Sequence, residues 1–344
     1  MPRWKNSLVR MQPSRVNVLF TSVGRRVELL RAFRNAYGSL NLSGKIVAVD
    51  IDPLAPALQA ADYSYLVPRV SSPDYISTLA EICRREKVTV IFPLIDPDIS
   101  ILAANRTALE ETGARVAVVS PQTAAIAADK WLTAEFFRRV GVATPQTWFP
   151  GQLGPEKADY PLFIKPREGS AANGTFRVNN ARELNFFSAY IREPIVQEYL
   201  PGPEITSDVV CDLDGQVLGV VSRRRIEVRW GEVAKGVTVY HPAITEGCIR
   251  IAKELPAIGP ITVQCMMKDE LPYFTEINAR FGGGAPLGIA AGADYPKWLL
   301  ARLTGIPIEL PPIGSYRTGL YMTRHDDSFF LTEAKRERMA GRRL

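Results

Sequence analysis

Short apolar segments alternate with amphipathic segments over residues 16–128, and this alternation constrains the fold more than any other feature. Residues 16–20 form a β-branched apolar run of strand length, and the run ends before Gly24. Residues 25–37 then carry apolar side chains at helical spacing. The same patterns predict strands at 45–50, 88–94 and 115–119 and helices at 73–87 and 98–112. We therefore predict a parallel sheet with helices on both of its faces.

The first turn between strand and helix contains a single glycine, Gly24, where a dinucleotide-binding fingerprint needs three. Without the other glycines the backbone cannot approach a pyrophosphate closely, so we do not expect NAD at this turn. Arg25 and Arg26 lie at the predicted helix start, where they could hold an anion. A solvated helix start explains the same two residues equally well.

A different pattern begins at residue 129, where short strands follow one another with glycine and proline between them. Helices are predicted at 129–140, 181–191 and 244–254. Strands are predicted at 161–165, 175–179, 194–200, 205–212, 216–221 and 226–240, followed by a hairpin over 261–279. Successive strands without crossover helices pair antiparallel, so we predict an α+β region after the parallel-sheet domain.

Polar side chains share one face of the second strand of this hairpin. Glu276, Asn278 and Arg280 are spaced two residues apart and therefore point the same way. If the ends of a connection over 268–272 pair with each other, Gln264 lies directly opposite Glu276. The amide and carboxylate oxygens would suit Mg²⁺, and the arginine would suit phosphate. The alternative is an ordinary hairpin with a solvent-facing polar side.

Lys165 ends an apolar strand and is followed by a loop of small residues over 169–174. The N–H groups of such a loop can turn towards a polyphosphate, and the lysine adds positive charge. Gly169, Ser170 and Gly174 are the candidate loop residues. This is not a Walker A loop, because no Gly-Lys-Ser/Thr opens a helix. A hairpin loop that holds no ligand is the alternative.

The segment 198–204 joins a strand to a Pro-Gly-Pro turn. The backbone around Glu198 and Leu200 could offer donors and acceptors to a planar base, and Glu204 could accept ribose hydroxyl groups. A linker between subdomains would have the same composition.

Arginines recur over residues 222–229. Strand alternation would place Arg223, Arg225 and Arg229 on one face, between the segment 198–204 and the hairpin. Arg225 or a neighbour could then bind a carboxylate or a terminal phosphate. A solvated charged face is the alternative.

The order of these segments resembles the ATP-grasp superfamily, and the chain is most similar to single-module proteins related to the carbamoyl-phosphate synthase large subunit. The resemblance covers residues 16–325. It implies a Rossmann-like pre-ATP-grasp domain followed by an ATP-grasp fold with a small lid subdomain. The implied divisions are a basic tail at 1–15, the pre-ATP-grasp domain at 16–125, the lid at 126–200, the large subdomain at 201–330 and a second basic tail at 331–344.

The resemblance also implies a role for each matching residue. The residues that match contacts to the ATP phosphates are Lys130, Lys165, Gly169, Ser170 and Gly174. Those that match contacts to adenine and ribose are Glu198, Leu200 and Glu204. The residues that match magnesium ligands are Gln264, Glu276 and Asn278. Arg280 matches the arginine that stabilises the transferring phosphoryl group. Many relatives have an acid where this chain has Gln264, which leaves the number of metal ions open.

The activity implied by the resemblance is that of a carboxylate–amine ligase. It would use ATP and Mg²⁺, with Mn²⁺ as a second metal option, form an acyl phosphate and release ADP. Its partners would be a small-molecule carboxylate and an amine, and we leave open whether the chain forms a homodimer. Alternatives on the same fold are a carbamoyl-phosphate synthase-like enzyme, a biotin carboxylase and a non-catalytic ATP sensor. Because the synthase subunit carries two modules and 344 residues hold one, we rank carbamoyl-phosphate synthesis lower.

The formal net charge of +6 comes from the two ends of the chain. Residues 1–15 hold four bases and no acid, and residues 331–344 hold five bases and two acids. We expect both ends to be solvated and poorly ordered. The rest of the chain is nearly neutral, which argues against a nucleic-acid partner. No apolar run has the length of a membrane helix. The four cysteines are far apart in the sequence, so neither a disulfide framework nor a zinc site is expected. We therefore expect free thiols and a reducing cytoplasm.

Overall fold

The computed structural model describes residues 15–169, 173–229 and 231–340. The strands of its N-terminal part are β1 (Arg15–Thr21), β2 (Ser43–Asp50), β3 (Tyr63–Leu66), β4 (Val90–Pro93) and β5 (Arg115–Val116). The helices that follow them are α1 (Val27–Ser39), α2 (Tyr75–Glu86), α3 (Asp96–Ala104), α4 (Arg106–Glu110), α5 (Pro121–Ala128) and α6 (Lys130–Arg139). The strands form a parallel sheet in the order β3-β2-β1-β4-β5. The predicted Rossmann-like sheet is confirmed.

Two parts of this domain differ from the prediction. Strand β3 was missed, because its four residues contain no long apolar run, and a 3₁₀ turn (Pro56–Ala60) precedes it. The single helix predicted over 98–112 is wrong, since the segment folds as α3 and α4 with a break at Asn105. The Asn105 side chain donates to the Ile101 carbonyl at 2.9 Å, a local bond that competes with helix continuation.

The order of the strands reverses between β1 and β4, which are neighbours in the sheet but not in the chain. Ligands of open α/β sheets bind in the crevice that such a reversal leaves at the carboxyl ends of the strands. Here Arg26 follows β1 and Asp96 follows β4. Both side chains therefore lie at the place where this fold favours a ligand.

A four-stranded antiparallel sheet follows, in the middle of the chain. Its elements are β6 (Thr147–Trp148), β7 (Leu162–Pro166), β8 (Phe176–Val178), β9 (Pro194–Glu198) and helix α7 (Ala181–Tyr190), with 3₁₀ turns at Pro150–Gln152 and Pro155–Lys157. The strand order is β6-β9-β7-β8. Leu162, Ile164, Val178 and Leu184 form part of a core that this unit does not share with the other sheets. A unit with its own small core suits the predicted lid.

The third sheet is antiparallel and has six strands. They are β10 (Glu204–Cys211), β11 (Val217–Arg229), β12 (Glu232–Val239), β13 (Pro260–Lys268), β14 (Leu271–Asn278) and β15 (Tyr321–Thr323). The helices are α8 (Pro242–Glu254), α9 (Ala285–Ala290), α10 (Tyr295–Thr304) and α11 (Glu333–Ala340). The strand order is β14-β13-β10-β11-β12-β15. The break predicted between 221 and 226 is wrong: β11 is continuous, because Arg223 and Arg225 pair with β12 as regular strand residues.

The C-terminal end also differs from expectation. Residues 333–340 form α11, where the charge pattern predicted a poorly ordered end. A pair between Arg336 and Glu333, three residues apart, lies on one face of this helix. The basic N-terminal tail lies outside the described residues up to position 14.

The N-terminal sheet and the six-stranded sheet share their hydrophobic cores. Phe281, just after β14, packs among N-terminal aromatic rings, with its centroid 6.0 Å from Phe33 and 5.6 Å from Phe92. Burying such a ring contributes roughly 1.5–3 kcal/mol. This packing fixes the end of β14 against the N-terminal domain. Within the described residues, we find no helix with the length and apolar character needed to cross a membrane.

Candidate active site

The hairpin of β13 and β14 pairs Gln264 directly with Glu276, as predicted. The predicted connection is nevertheless wrong, because Lys268 pairs with Leu271 and the turn is one residue shorter than assumed. A bulge after Gln264 leaves Thr275 unpaired and shifts the register back by one. The short turn and the bulge cancel, so the expected residues face each other.

One end of the Gln264 amide lies between two carboxylates, 3.3 Å from Glu276 Oε2 and 3.2 Å from Glu204 Oε1. With its nitrogen at that end, the amide donates to both acids. With its oxygen there, three oxygens converge as they would around a hard cation. Asn278 follows on the same strand and is buried. The donor set fits Mg²⁺, although within the described ranges no group of three or more His, Cys, Asp or Glu could hold a metal.

Lys165, near the end of β7, is 6% exposed, and its ammonium group lies 6.0 Å from the centroid of the Phe163 ring. The pKa of Lys165 is lowered to about 8, chiefly by burial and also by nearby Lys130, against the opposing effects of Glu276 and Glu204. A buried ammonium group is costly unless it meets an anion. The site therefore favours an anionic ligand beside Lys165.

The start of α6 is tied to the loop after β7. Asp129 caps the helix by accepting from the N–H of Trp131 at 2.9 Å, and Arg167 Nε donates to the same carboxylate at 2.7 Å. Lys130 Nζ donates to the Gly169 carbonyl at 2.6 Å. Burial raises the pKa of Asp129, but the bonds from Arg167 and the helix N–H groups outweigh it and hold that pKa below its usual range. These contacts bring Lys130 and Lys165 to one cavity.

The segment after β9 has a fixed side-chain arrangement. Lys268 Nζ donates to Glu198 Oε1 at 2.6 Å, so the Glu198 side chain is turned towards the hairpin. Leu200 is buried. Arg225 Nη1 donates to Glu204 Oε1 at 2.6 Å. Glu204, expected to face ribose, is therefore held between Arg225 and Gln264 in this structure.

A cavity of about 330 Å³, here called the lid cavity, lies between the four-stranded and six-stranded sheets. Eleven of the thirteen predicted site residues line it. They are Lys130, Lys165, Gly169, Glu198, Leu200, Glu204, Arg225, Gln264, Glu276, Asn278 and Arg280. Ser170 lies outside the described residues. Gly174 does not line the cavity; a Cβ there would contact the Pro166 ring at 3.2 Å.

A second cavity of about 280 Å³, here called the arginine cavity, lies where the N-terminal domain meets the six-stranded sheet. Four arginines line it: Arg26, Arg223, Arg225 and Arg280. Each pairs with one acid, respectively Glu232, Asp208, Glu204 and Asp96. Arg26 Nη1, Arg223 Nε and Arg280 Nε are nonetheless buried without an acceptor among the described residues. Burial lowers the pKa of Arg26 to about 10, with Glu232 opposing this effect.

The loop after Phe281 packs directly against these guanidinium groups. A Cβ on Gly283 would lie 2.7 Å from Arg26 Nη1 and 3.0 Å from Glu232 Cδ. Gly282 and Gly284 are similarly close to Arg223. Three consecutive glycines thus let the backbone form one wall of the arginine cavity.

One predicted site neighbour is wrong. Arg229 does not share the face of Arg223 and Arg225, because the pairing of β11 with β12 shifts register on both sides of Glu227. Arg229 instead donates to Glu227 and stays exposed.

Sequence reasoning missed Asp96, Asp208, Glu232 and the three glycines. Asp96 could have been found, since it follows the fourth strand at the reversal of strand order. Asp208 and Glu232 carry no local signal, because their arginine partners come from distant segments.

Two family models match the chain: a PylC-like N-terminal domain over residues 18–117 and an ATP-grasp domain over residues 127–284. Fold and site thus define a protein in which a parallel-sheet domain precedes a nucleotide-binding ATP-grasp domain. Residues 127–284 match the ATP-grasp domain family, behind a segment that matches the PylC-like N-terminal domain.

Among curated relatives, the D-alanine–D-alanine ligase of Clostridium botulinum is 27% identical over 139 residues. That match covers 36% of this chain and 45% of the ligase, so the chain matches less than half of the relative's length.

Solved structures with a similar fold include two ligases or synthetases and a carboxylase domain. The L-amino acid ligase from Bacillus licheniformis has a TM-score of 0.65 at 18% identity, over 85% of this chain and 75% of that chain. The N5-carboxyaminoimidazole synthetase from Staphylococcus aureus has a TM-score of 0.68 at 16% identity, over 89% of this chain and 81% of that chain. The biotin carboxylase domain of Hydrogenobacter thermophilus 2-oxoglutarate carboxylase was solved with MgADP and bicarbonate. It has a TM-score of 0.64 at 19% identity, over 88% of this chain and 73% of that chain. At these sequence identities, the similarity to the solved structures shows a shared fold.

Proposed function

We propose that this protein is an ATP-dependent carboxylate–amine ligase that forms an acyl phosphate and releases ADP and phosphate. One observation carries the proposal: Arg225, Gln264, Asn278 and Arg280 line both the lid cavity and the arginine cavity. ATP in the lid cavity and an acid in the arginine cavity would meet at this common wall. Phosphoryl transfer depends mainly on such positioning and on nearby positive charge.

The lid cavity suits ATP along its whole length. Leu200 and Met266 offer apolar surface to the base, next to the backbone of Glu198. Lys130 and Lys165 also line the cavity, and the triphosphate would supply an anion beside the buried Lys165 ammonium group. In this proposal residues 126–200 form the lid and residues 201–330 form the large subdomain.

Magnesium would be held by Gln264, Glu276 and Asn278, with Glu204 close to Gln264. When bound there, the ion would neutralise negative charge on the phosphates and help to orient them. Mn²⁺ would suit the same oxygen ligands.

The arginine cavity suits the carboxylate substrate. Four arginines line it, three of them with a guanidinium N–H that has no acceptor among the described residues, and Arg280 lies on the wall shared with the nucleotide. A carboxylate oxygen attacks the γ-phosphorus, the bond to ADP breaks, and an acyl phosphate forms beside Arg280. An amine then attacks the acyl carbon and displaces phosphate. Arg280 would stabilise charge on the transferring phosphoryl group throughout.

ADP release tests this proposal. The protein is incubated with ATP and Mg²⁺ and a panel of amino acids, singly and in pairs, and Glu276→Gln serves as the inactive control. We expect release that depends on one particular acid and amine. Tight ATP binding with no release for any pair would overturn the ligase and favour an ATP sensor. We also propose a cytoplasmic location, because Cys83, Cys211, Cys248 and Cys265 are buried free thiols.

A further inference from the structure

A third cavity, of about 250 Å³, lies between helices α3 and α5 and is here called the helix cavity. Ala124, Ala127 and Ala128 of α5 line one side, and Ile99 and Ser100 of α3 line the other. The small side chains on α5 leave this space open. The alanine wall on α5 has no part in the proposed roles of ATP or the acid.

The helix cavity opens on the reaction point of the proposed ligase. It shares three residues with the arginine cavity, Asp96, Pro97 and Asn278. It shares five with the lid cavity: Lys130, Glu168, Gly169, Glu276 and Asn278. The three cavities therefore meet around Asn278. A molecule in the helix cavity would reach the acyl phosphate from a side that neither ATP nor the acid occupies.

The two cavities beside the nucleotide differ in charge. Four arginines line the arginine cavity, whereas among the described residues no arginine lines the helix cavity. The lining of the helix cavity holds one base, Lys130, and three acids: Asp96, which is paired with Arg280, Glu276, which would also face the metal, and Glu168. The Lys130 ammonium group is already held by the Gly169 carbonyl at 2.6 Å. A cation is thus favoured in the helix cavity over the arginine cavity.

We infer that the helix cavity is the binding site of the amine substrate, a primary ammonium compound with a short apolar chain. This inference rests on the proposed ligase function. The carboxylates at the mouth would attract the ammonium group, and the alanine-lined wall would hold its chain.

Amide formation from the acyl phosphate and the bound amine conserves atoms and charge. The ammonium group loses one proton to a carboxylate or water at the mouth, and the free amine attacks the acyl carbon. The carbon–oxygen bond to phosphate breaks, and phosphate leaves with the electron pair. The acyl phosphate and the ammonium compound give the amide, hydrogen phosphate and one proton.

Ala128→Leu tests the inference, with Ala125→Leu as its matched control. Both alanines are exposed on α5, but Ala128 lines the helix cavity and Ala125 does not. Ser100→Leu narrows the cavity from the α3 side and serves as a second variant if Ala128→Leu does not fold. The probes are hydroxylamine, which reports acyl phosphate as a hydroxamate, and the amine that supports ADP release in the pair screen.

We expect Ala128→Leu and Ser100→Leu to raise the KM for the amine by about tenfold or more, because the added methyl groups fill its site. Hydroxamate formation and the KM values for ATP and acid should change less than about twofold, as in Ala125→Leu. An amine KM that stays at the wild-type value in Ala128→Leu and Ser100→Leu would overturn the inference while leaving the ligase intact. A wild-type protein that makes neither hydroxamate nor ADP would overturn the ligase and this inference together.

Discussion

Arg280, two residues past the end of β14, donates from Nη2 to Asp96 Oδ2 of the N-terminal domain at 2.7 Å. Phe281 beside it packs 5.6 Å from Phe92, so an ion pair and a buried ring fix the same point of the chain. Asn278, two residues before Arg280, lines all three cavities, and Asp96 lines the arginine cavity and the helix cavity. The N-terminal domain therefore orients the arginine that we place at the transferring phosphoryl group.

Asp96→Asn removes the charge that orients Arg280. A hydrogen bond to a charged group contributes about 1.5–3 kcal/mol, so we expect kcat for ADP release to fall roughly 10- to 100-fold. The KM for ATP should stay near its wild-type value, because Asp96 does not line the lid cavity. Asp74→Asn, on an exposed aspartate before α2, is the control. Equal kcat values for the two variants would show that Asp96 does not position Arg280.

Glu276→Gln should abolish ATP turnover and leave the protein folded. Its carboxylate is the one full charge among the three proposed magnesium ligands, and the amide keeps its shape. The measurements are steady-state ADP release and thermal unfolding. Glu270→Gln, in the exposed turn of the same hairpin, should behave as wild type. Turnover near the wild-type rate in Glu276→Gln would remove Glu276 from the metal site.

Lys165 should take up a proton when ATP binds. Burial holds its pKa at about 8 in the free protein, and bound phosphates would raise it. Uptake should therefore be about half a proton at pH 8 and nearly one at pH 9, and ATP affinity should fall as pH rises through this range. Calorimetry in buffers of different ionisation enthalpy measures the uptake.

Lys165→Met should remove this proton uptake, and Lys157→Met, on an exposed lysine of the same unit, should keep it. Uptake that persists in Lys165→Met would assign the proton to another group.

Gly283→Ala should disturb the acid site and spare the nucleotide site. The new Cβ would lie 2.7 Å from Arg26 Nη1, so the loop or the guanidinium group must move. We expect the KM for the acid to rise about tenfold and ATP affinity to stay unchanged. Gly38→Ala, where a Cβ meets nothing within 4 Å, is the control. A matching rise in both variants would mean that the loop does not border the acid.

Local patterns predicted most strands of the three sheets and, together with the family resemblance, most residues of the lid cavity. The apolar runs gave the parallel sheet, and the two-residue spacing of Glu276 and Asn278 gave their common face. The pairing of Gln264 with Glu276 was predicted through two errors that cancel. A bulge depends on packing beyond the hairpin, so sequence spacing alone could not reveal it.

The arginine cavity was largely beyond sequence reasoning. Arg223 looked like part of a charged strand face, and its partner Asp208 lies on the neighbouring strand β10, fifteen residues away. Arg26 meets Glu232 across more than two hundred residues. The first pair depends on the register of β10 and β11 and the second on how the domains pack, and one sequence records neither.

Transfer of ¹⁸O tests the central claim most directly. The acid identified in the pair screen is labelled with ¹⁸O in its carboxylate and incubated with ATP, Mg²⁺ and the amine. An acyl phosphate carries one carboxylate oxygen to phosphorus, so the account predicts released phosphate with one ¹⁸O atom for each amide formed, seen by mass spectrometry. Unlabelled phosphate released together with the amide would contradict it, because the carboxylate oxygen would never have been bonded to phosphorus.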